Sequence, residues 1–249
     1  MNSAFMIGVK NTHSKIWLRW KYRICAVLVA VAAVWSGLQA NLGRNFVASD
    51  FAISMAGNHY SMLEALNLFW IPLICFMLAA DFFATEIADG SIKFEALRPI
   101  GRSSLYLSKA GGMFLYCAEQ YLGAYLIHAV VSIVLGGAYA LPMLFVATLM
   151  SLLVALAFVA LASFISNLLG HPSLAMFVMI LVYALMLLVG RVFPAFGVFF
   201  FTTSINWYKM IMGTSITWSS FFASLAMLLS IIGLTGAGGQ WLFDRRDLG

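Results

Sequence analysis

Apolar residues occupy six stretches of about 17 residues or more, long enough to cross a bilayer as helices. They cover roughly 24–42, 61–80, 105–138, 144–166, 174–190 and 217–234. The third is long for one crossing, which predicts a start outside the hydrocarbon or a tilt. In the first, Ala26, Ala30, Ala33 and Gly37 recur at helical spacing. A small face of that kind lets helix backbones approach closely, within the chain or across a dimer. Gly136, Gly137 and Pro142 mark a tight turn between the third and fourth stretches. Residues 191–216 break the pattern: Pro194 and Gly197 precede a Phe run, and polar residues, Trp207, Tyr208 and Lys209 follow. Two half-length pieces fit this better than a full span, as a re-entrant or interfacial hairpin whose backbone is covered by protein. A short loop is expected at 167–173 and a basic tail after 234.

Composition fixes the class. The chain of 249 residues is 63% hydrophobic and 9% charged, against about 25% charged in soluble domains. The expected fold is therefore all-α and polytopic, one transmembrane domain over 1–249. Eleven of the fourteen Lys and Arg fall on one side of the six spans: in residues 1–23, in the stretch 81–109 and in the tail. The positive-inside rule places both termini and that stretch in the cytoplasm of a cell membrane. The net charge of +5 then reflects topology, and nucleic acid is not an expected partner. Within 1–23, Lys10, Lys15, Arg19, Lys21 and Arg23 alternate with Phe5, Ile16, Trp17, Leu18 and Trp20. That mixture predicts a helix in the headgroup layer of the bilayer, with Trp17 and Trp20 as anchors; a plain topogenic tail is the alternative.

Candidate chemistry is sparse. No GxxxxGK[ST] phosphate loop occurs, and Gly111-Gly112 is followed by Met. Neither does HExxH, and Gly213-Thr214-Ser215 lacks an evident base. Cys25, Cys75 and Cys117 lie inside apolar stretches without CxxC spacing and read as small core residues. Enzymatic activity, a metal site and a cofactor bound by this chain are not expected. Polar groups inside spans are costly and therefore functional suspects. Glu64 and Asn67 share a face near the start of the second span. Glu119, Gln120 and His128 lie in the third and are candidates for a transport pathway. Glu119 and His128 are nine residues apart, on opposite helix faces, so each must meet a different neighbour.

The longest polar interval is DFFATEIADGSIKFEALRPIGRSSLYLSK, from Asp81 to Lys109. A solvated connector has no need of Phe82, Phe83, Ile87, Ile92 and Phe94 between its charges. A short amphipathic helix along the cytoplasmic face does, ended or bent at Gly90, and it offers a surface for a cytosolic partner. Dipping into headgroups is the competing reading. Pro99 and Gly101 mark the turn into the third span.

Glu86, Gly90, Ile92-Lys93, Arg98-Pro99, Arg102 and Lys109 resemble the pattern E…G-[ST]-x-K…[RS]-P-x-x-R…K that follows the second span in permease subunits of ABC-2-type exporters. The six-span layout, the basic N-terminal segment and the broken region before the sixth span are similar to that family. The short outer loops resemble the small bacterial permeases of drug, bacteriocin and lantibiotic export or immunity. The resemblance implies a coupling helix at about 82–97, seated in a separate ATP-binding cassette subunit that binds ATP and Mg. Phe82, Phe83, Glu86, Ile87, Gly90, Ile92, Lys93 and Phe94 would make that contact. Arg98, Pro99, Arg102 and Lys109 would anchor the exit at the membrane surface. It further implies a second permease copy and a lipophilic or amphipathic substrate. The alternative is a self-contained, proton-coupled secondary transporter using Glu119 or His128; it predicts inverted repeats, and the first half has no counterpart of the break at 191–216.

Overall fold

The computed structural model describes residues 3–46, 59–92, 101–135, 140–193, 200–212 and 218–245. These residues form helices and turns with no strand among them. Helix α1 spans Ser3–Leu18 and α2 spans Trp20–Phe46. Helix α3 spans Ser61–Ala88, α4 Arg102–Val134, α5 Leu141–Leu169 and α6 Pro172–Val192. A 3-10 turn at Phe201–Ser204 and α7 at Lys209–Met212 precede α8 at Trp218–Arg245. Six of these helices (α2, α3, α4, α5, α6 and α8) are long and apolar enough to cross a membrane. The protein is thus an all-α, multi-pass membrane protein.

The helices extend further than the sequence pattern suggests, and the reason is local. Asp81 was expected to close the second span, yet α3 continues through it to Ala88. Its charge is met by Arg19 Nη1 at 2.7 Å and by Lys21, so the helix has no need to end. A π-turn at Ala80–Ala84 absorbs the extra residue, and Thr85 Oγ1 donates to Ala80 O at 3.0 Å. A second π-turn lies at Leu66–Trp70. Such bulges often mark functional or strained places in helices. The turn out of α3 comes at Gly90, at φ +70°, where any side chain would be strained. The loop expected at 167–173 shrinks to Gly170 and His171: Gly170 takes φ +66° and Pro172 opens α6. Residues 235–245, expected as tail, are the last turns of α8.

Helix lengths show where these extra turns go. The spanning part of α2, Trp20–Ala40, is 21 residues with Lys21 and Arg23 at its start, and it rises about 30 Å, one hydrocarbon thickness. The start of α2 therefore marks one membrane boundary. There Tyr22 donates to Met77 O of α3 at 3.2 Å, and Tyr116 of α4 donates to Tyr22 O at 2.7 Å. Beyond that level project residues 82–88 of α3, 102–115 of α4 and the end of α8. They pack into a stalk with its own aromatic core: the Phe83 ring lies tilted against Tyr106 at 5.2 Å and meets Phe243 at 6.5 Å. Helix α1 runs along the same part of α4. A Cβ on Gly8 would lie 2.7 Å from Ser108 Oγ, and one on Gly112 would lie 2.7 Å from Thr12 Cβ. So α1 is seated against α4, and Gly111-Gly112 is its seat. Trp20 is 71% exposed.

At the other end, residues 200–212 are inserted into the bundle. Phe201, Thr202, Ser204, Ile205, Trp207 and Tyr208 are buried; Phe201 packs edge-on against Phe158 at 5.0 Å and Trp207 stacks on Phe221 at 5.1 Å. That is protein cover for irregular backbone, as a broken segment requires. Gly136, Gly137, Pro194, Gly197 and Gly213–Ser215 lie outside the described residues. The small face of α2 packs within the chain at Ala33 and Gly37, where a Cβ on Gly37 would come within 2.9 Å of Val131.

Candidate functional site

Three polar clusters stand on this frame. The first is the stalk and its tip. Lys109 is 2% exposed, although a headgroup anchor was expected there. Its ammonium is paired with Glu86, whose side chain is 12% exposed, and donates to Phe82 O at 3.4 Å. A buried lysine tolerates its position only with such a carboxylate. Phe82 and Phe83 are 1% and 0% exposed, and Arg19 stacks over the Phe82 ring at 4.6 Å. Ile92 is 1% exposed, and Ile87 is half-buried against the core. The apolar residues between the charges therefore hold the stalk together. What the tip offers to solvent is Ala88, Asp89, Ser91, Gly101 and Arg102. Arg102 Nη1 donates to Asp244 O at 3.1 Å and Ser103 Oγ to Asp244 Oδ2 at 2.6 Å, which ties α4 to the end of α8. Lys93, Phe94, Arg98 and Pro99 lie outside the described residues.

The second cluster sits at the membrane boundary, where α1, α2 and α4 meet. His13 Nε2 lies 2.9 Å from Glu119, and Trp17 Nε1 donates to Glu119 Oε2 at 2.9 Å. The Trp17 ring packs edge-on against Tyr116 at 5.4 Å, so Trp17 fastens α1 to α4. Glu119 remains 38% exposed at its side chain and lines a crevice of about 150 Å³ with Gln120, Gly123, Ala26 and Ala30. His13 gave no signal in the sequence; only the parallel course of α1 along α4 brings it to Glu119.

The third cluster lies toward the opposite end. Asn67, fully buried in the first π-turn, donates to Ser151 Oγ at 3.2 Å and Ile205 O at 3.0 Å, and accepts from Tyr121 OH. It thereby joins α3, α4, α5 and the inserted segment. One turn away, Glu64 pairs with Lys209. Burial pushes the Tyr208 hydroxyl above its usual range, with the Glu64 carboxylate adding to the effect. His128 meets His59, Nε2 to Nδ1, at 3.2 Å. Glu119 and His128 thus face different neighbours, and neither pair touches the other. Among the described residues no group of three or more His, Cys, Asp and Glu is gathered as for a metal ion.

No curated protein matches the chain. The family model described as ABC-2 family transporter protein matches residues 9–248. That match runs from α1 through the end of α8 and takes in all three clusters. The chain belongs to the ABC-2 transporter family, as a membrane permease component that works with an ATP-binding cassette subunit.

Proposed function

We propose that this chain is the membrane subunit of an ATP-driven exporter, moving a lipophilic or amphipathic substrate across or out of the cytoplasmic membrane. ATP and Mg would be bound and hydrolysed on the separate cassette subunit, and this chain would supply path and coupling without catalysis. Two permease copies would form the unit. The stalk end faces the cytoplasm in this reading, supported by the Lys and Arg bias.

The observation that carries the mechanism is the projecting stalk with its polar tip at Asp89–Gly90–Ser91. Movement of a cassette subunit against that tip would be passed on as a rigid body. Phe83, Tyr106 and Phe243 bind the ends of α3, α4 and α8 into one unit, and the Lys109–Glu86 pair crosses it. Asp81 then ties α3 to Arg19 and Lys21, where α1 passes into α2. Displacement of the tip would therefore reach α1 and α2 together. This revises the residue-level expectation: Phe82, Phe83, Glu86 and Ile92 transmit from inside the stalk, and Asp89 and Ser91 are the contact surface. The separation of Glu119–His13 from His128–His59 gives less support to a proton relay through α4.

The test is purification of the tagged chain from its host in mild detergent, with mass spectrometry of what co-elutes. A stoichiometric cassette ATPase is expected with the wild type and loss of it with Asp89→Arg, whose side chain has room in solvent. A chain that elutes alone, or an Asp89→Arg variant that retains the ATPase with unchanged transport, would refute the docking assignment.

A further inference from the structure

The Glu119 crevice has the features of a binding site for a cation. A carboxylate at the hydrocarbon boundary is costly unless neutralised, and its donors among the described residues are His13 and Trp17, with no Lys or Arg bonded to it. It is not enclosed by them: more than a third of the side chain is exposed, and Glu119 lines the crevice. The walls are small or apolar. Ala26, Val29 and Ala30 come from α2, and Gly123, Ala124 and Ile127 from α4. At Gly123 a Cβ would meet no atom within 4 Å, so the space beside the carboxylate is open. Trp17 adds an aromatic ring to the same wall, and an aromatic ring beside a carboxylate is a favourable setting for an ammonium. Gln120 also lines the crevice. The crevice lies between α2 and α4, helices that also carry the exposed apolar side chains Val27, Leu122 and Leu126.

We propose that this crevice receives the cationic head of a single-chain amphiphile, its apolar tail lying along α2 and α4. The volume of about 150 Å³ suits an ammonium or guanidinium head and excludes a folded polypeptide. The head enters from the side, at the level where α1 meets the membrane boundary, and it forms an ion pair with Glu119 beside the Trp17 ring. A ligand there sits against α1, α2 and α4 at once, and α1 and α2 are the elements the stalk moves through Asp81. Calling the ligand a transport substrate rests on the permease reading above; the binding itself does not.

The experiment is isothermal titration of octylammonium and of 1-octanol into the full chain in phosphatidylcholine nanodiscs, with empty nanodiscs subtracted. The wild type is expected to bind octylammonium saturably and to show only partition of octanol. Glu119→Gln keeps acceptor and donor capacity for Trp17 and His13 but loses the charge, and its affinity for octylammonium should fall about tenfold or more. Gly123→Leu leaves the Glu119 partners in place and fills the open space, and it should abolish saturable binding. Octanol binding as well as octylammonium, or both variants binding octylammonium like the wild type, would overturn the proposal. Neither ATP nor a partner subunit is present, so failure to recover a cassette ATPase leaves this result unchanged, and the converse holds.

Discussion

The Lys109–Glu86 pair separates a structural role from a contact role. The two side chains are 3% and 12% exposed, so the pair behaves as a buried one. Removing one partner of a buried ion pair costs about 3–5 kcal/mol, because the other charge loses its compensation, whereas replacing both by apolar residues of similar volume is neutral or stabilising by about 1–4 kcal/mol. Glu86→Leu and Lys109→Met alone should each lower stability by that larger amount. At about 2–4 °C per kcal/mol for a chain of this size, the apparent melting point should fall by about 6–20 °C. The double variant should return to the wild-type value or above it. The assay is a double-mutant cycle in mild detergent, read by thermal unfolding and by retention of the cassette ATPase on the same samples. If the pair only braces the stalk, the double variant recovers both stability and ATPase binding. A double variant that is as stable as the wild type and still releases the ATPase would refute the reasoning, since Glu86 would then touch the partner directly.

Three further outcomes follow from the packing. Gly112→Leu would drive a side chain into Thr12, whose Cβ is 2.7 Å from the added Cβ, and against Val9 O at 3.1 Å; α1 should detach, giving faster protease cleavage within residues 1–20 in a chain that still inserts. Asn67→Ala removes a group that bonds to Tyr121, Ser151 and Ile205 and should cost about 1–3 kcal/mol through the buried groups left behind, with a rise in the labelling rate of a cysteine placed at Thr203. Asp81→Asn weakens the junction to Arg19 and Lys21; insertion should be retained while ATP-driven transport falls, measured as the ratio of transport to ATP hydrolysis.

The membrane class and the six spans were legible because apolar length is a local property: α6 is 21 residues of almost unbroken hydrophobicity. Gly90 as the end of a helix was legible for the same reason, since a positive φ is demanded of one residue. Helix ends were read short wherever a charge or a polar side chain is compensated at a distance. Asp81 looks like the end of a span until Arg19 and Lys21 are seen beside it, 60 or more residues earlier in the chain. Asn167 looks like a loop residue, yet it is buried and its amide donates to Gly239 O at 2.9 Å. The site residues suffered from the same blindness. Phe82 and Phe83 have the composition of a docking face, and only the placement of Arg19, Tyr106 and Phe243 shows that the chain itself covers them. Glu64 and Asn67 were read onto one face, and both do meet the inserted segment. His13 and His59 carried no pattern at all; their partners lie 106 and 69 residues away.

The central claim is that the tip at Asp89–Ser91 is where this permease meets its ATPase. The most direct measurement places a photo-crosslinking amino acid at Asp89 and, separately, at Leu126, which is 61% exposed on the membrane-spanning part of α4. The crosslinked products of cells expressing the whole transporter are then identified by mass spectrometry. The account predicts a cassette ATPase adduct from position 89 and none from position 126. An ATPase adduct from neither position, with transport intact when the chain is reconstituted alone, would contradict it.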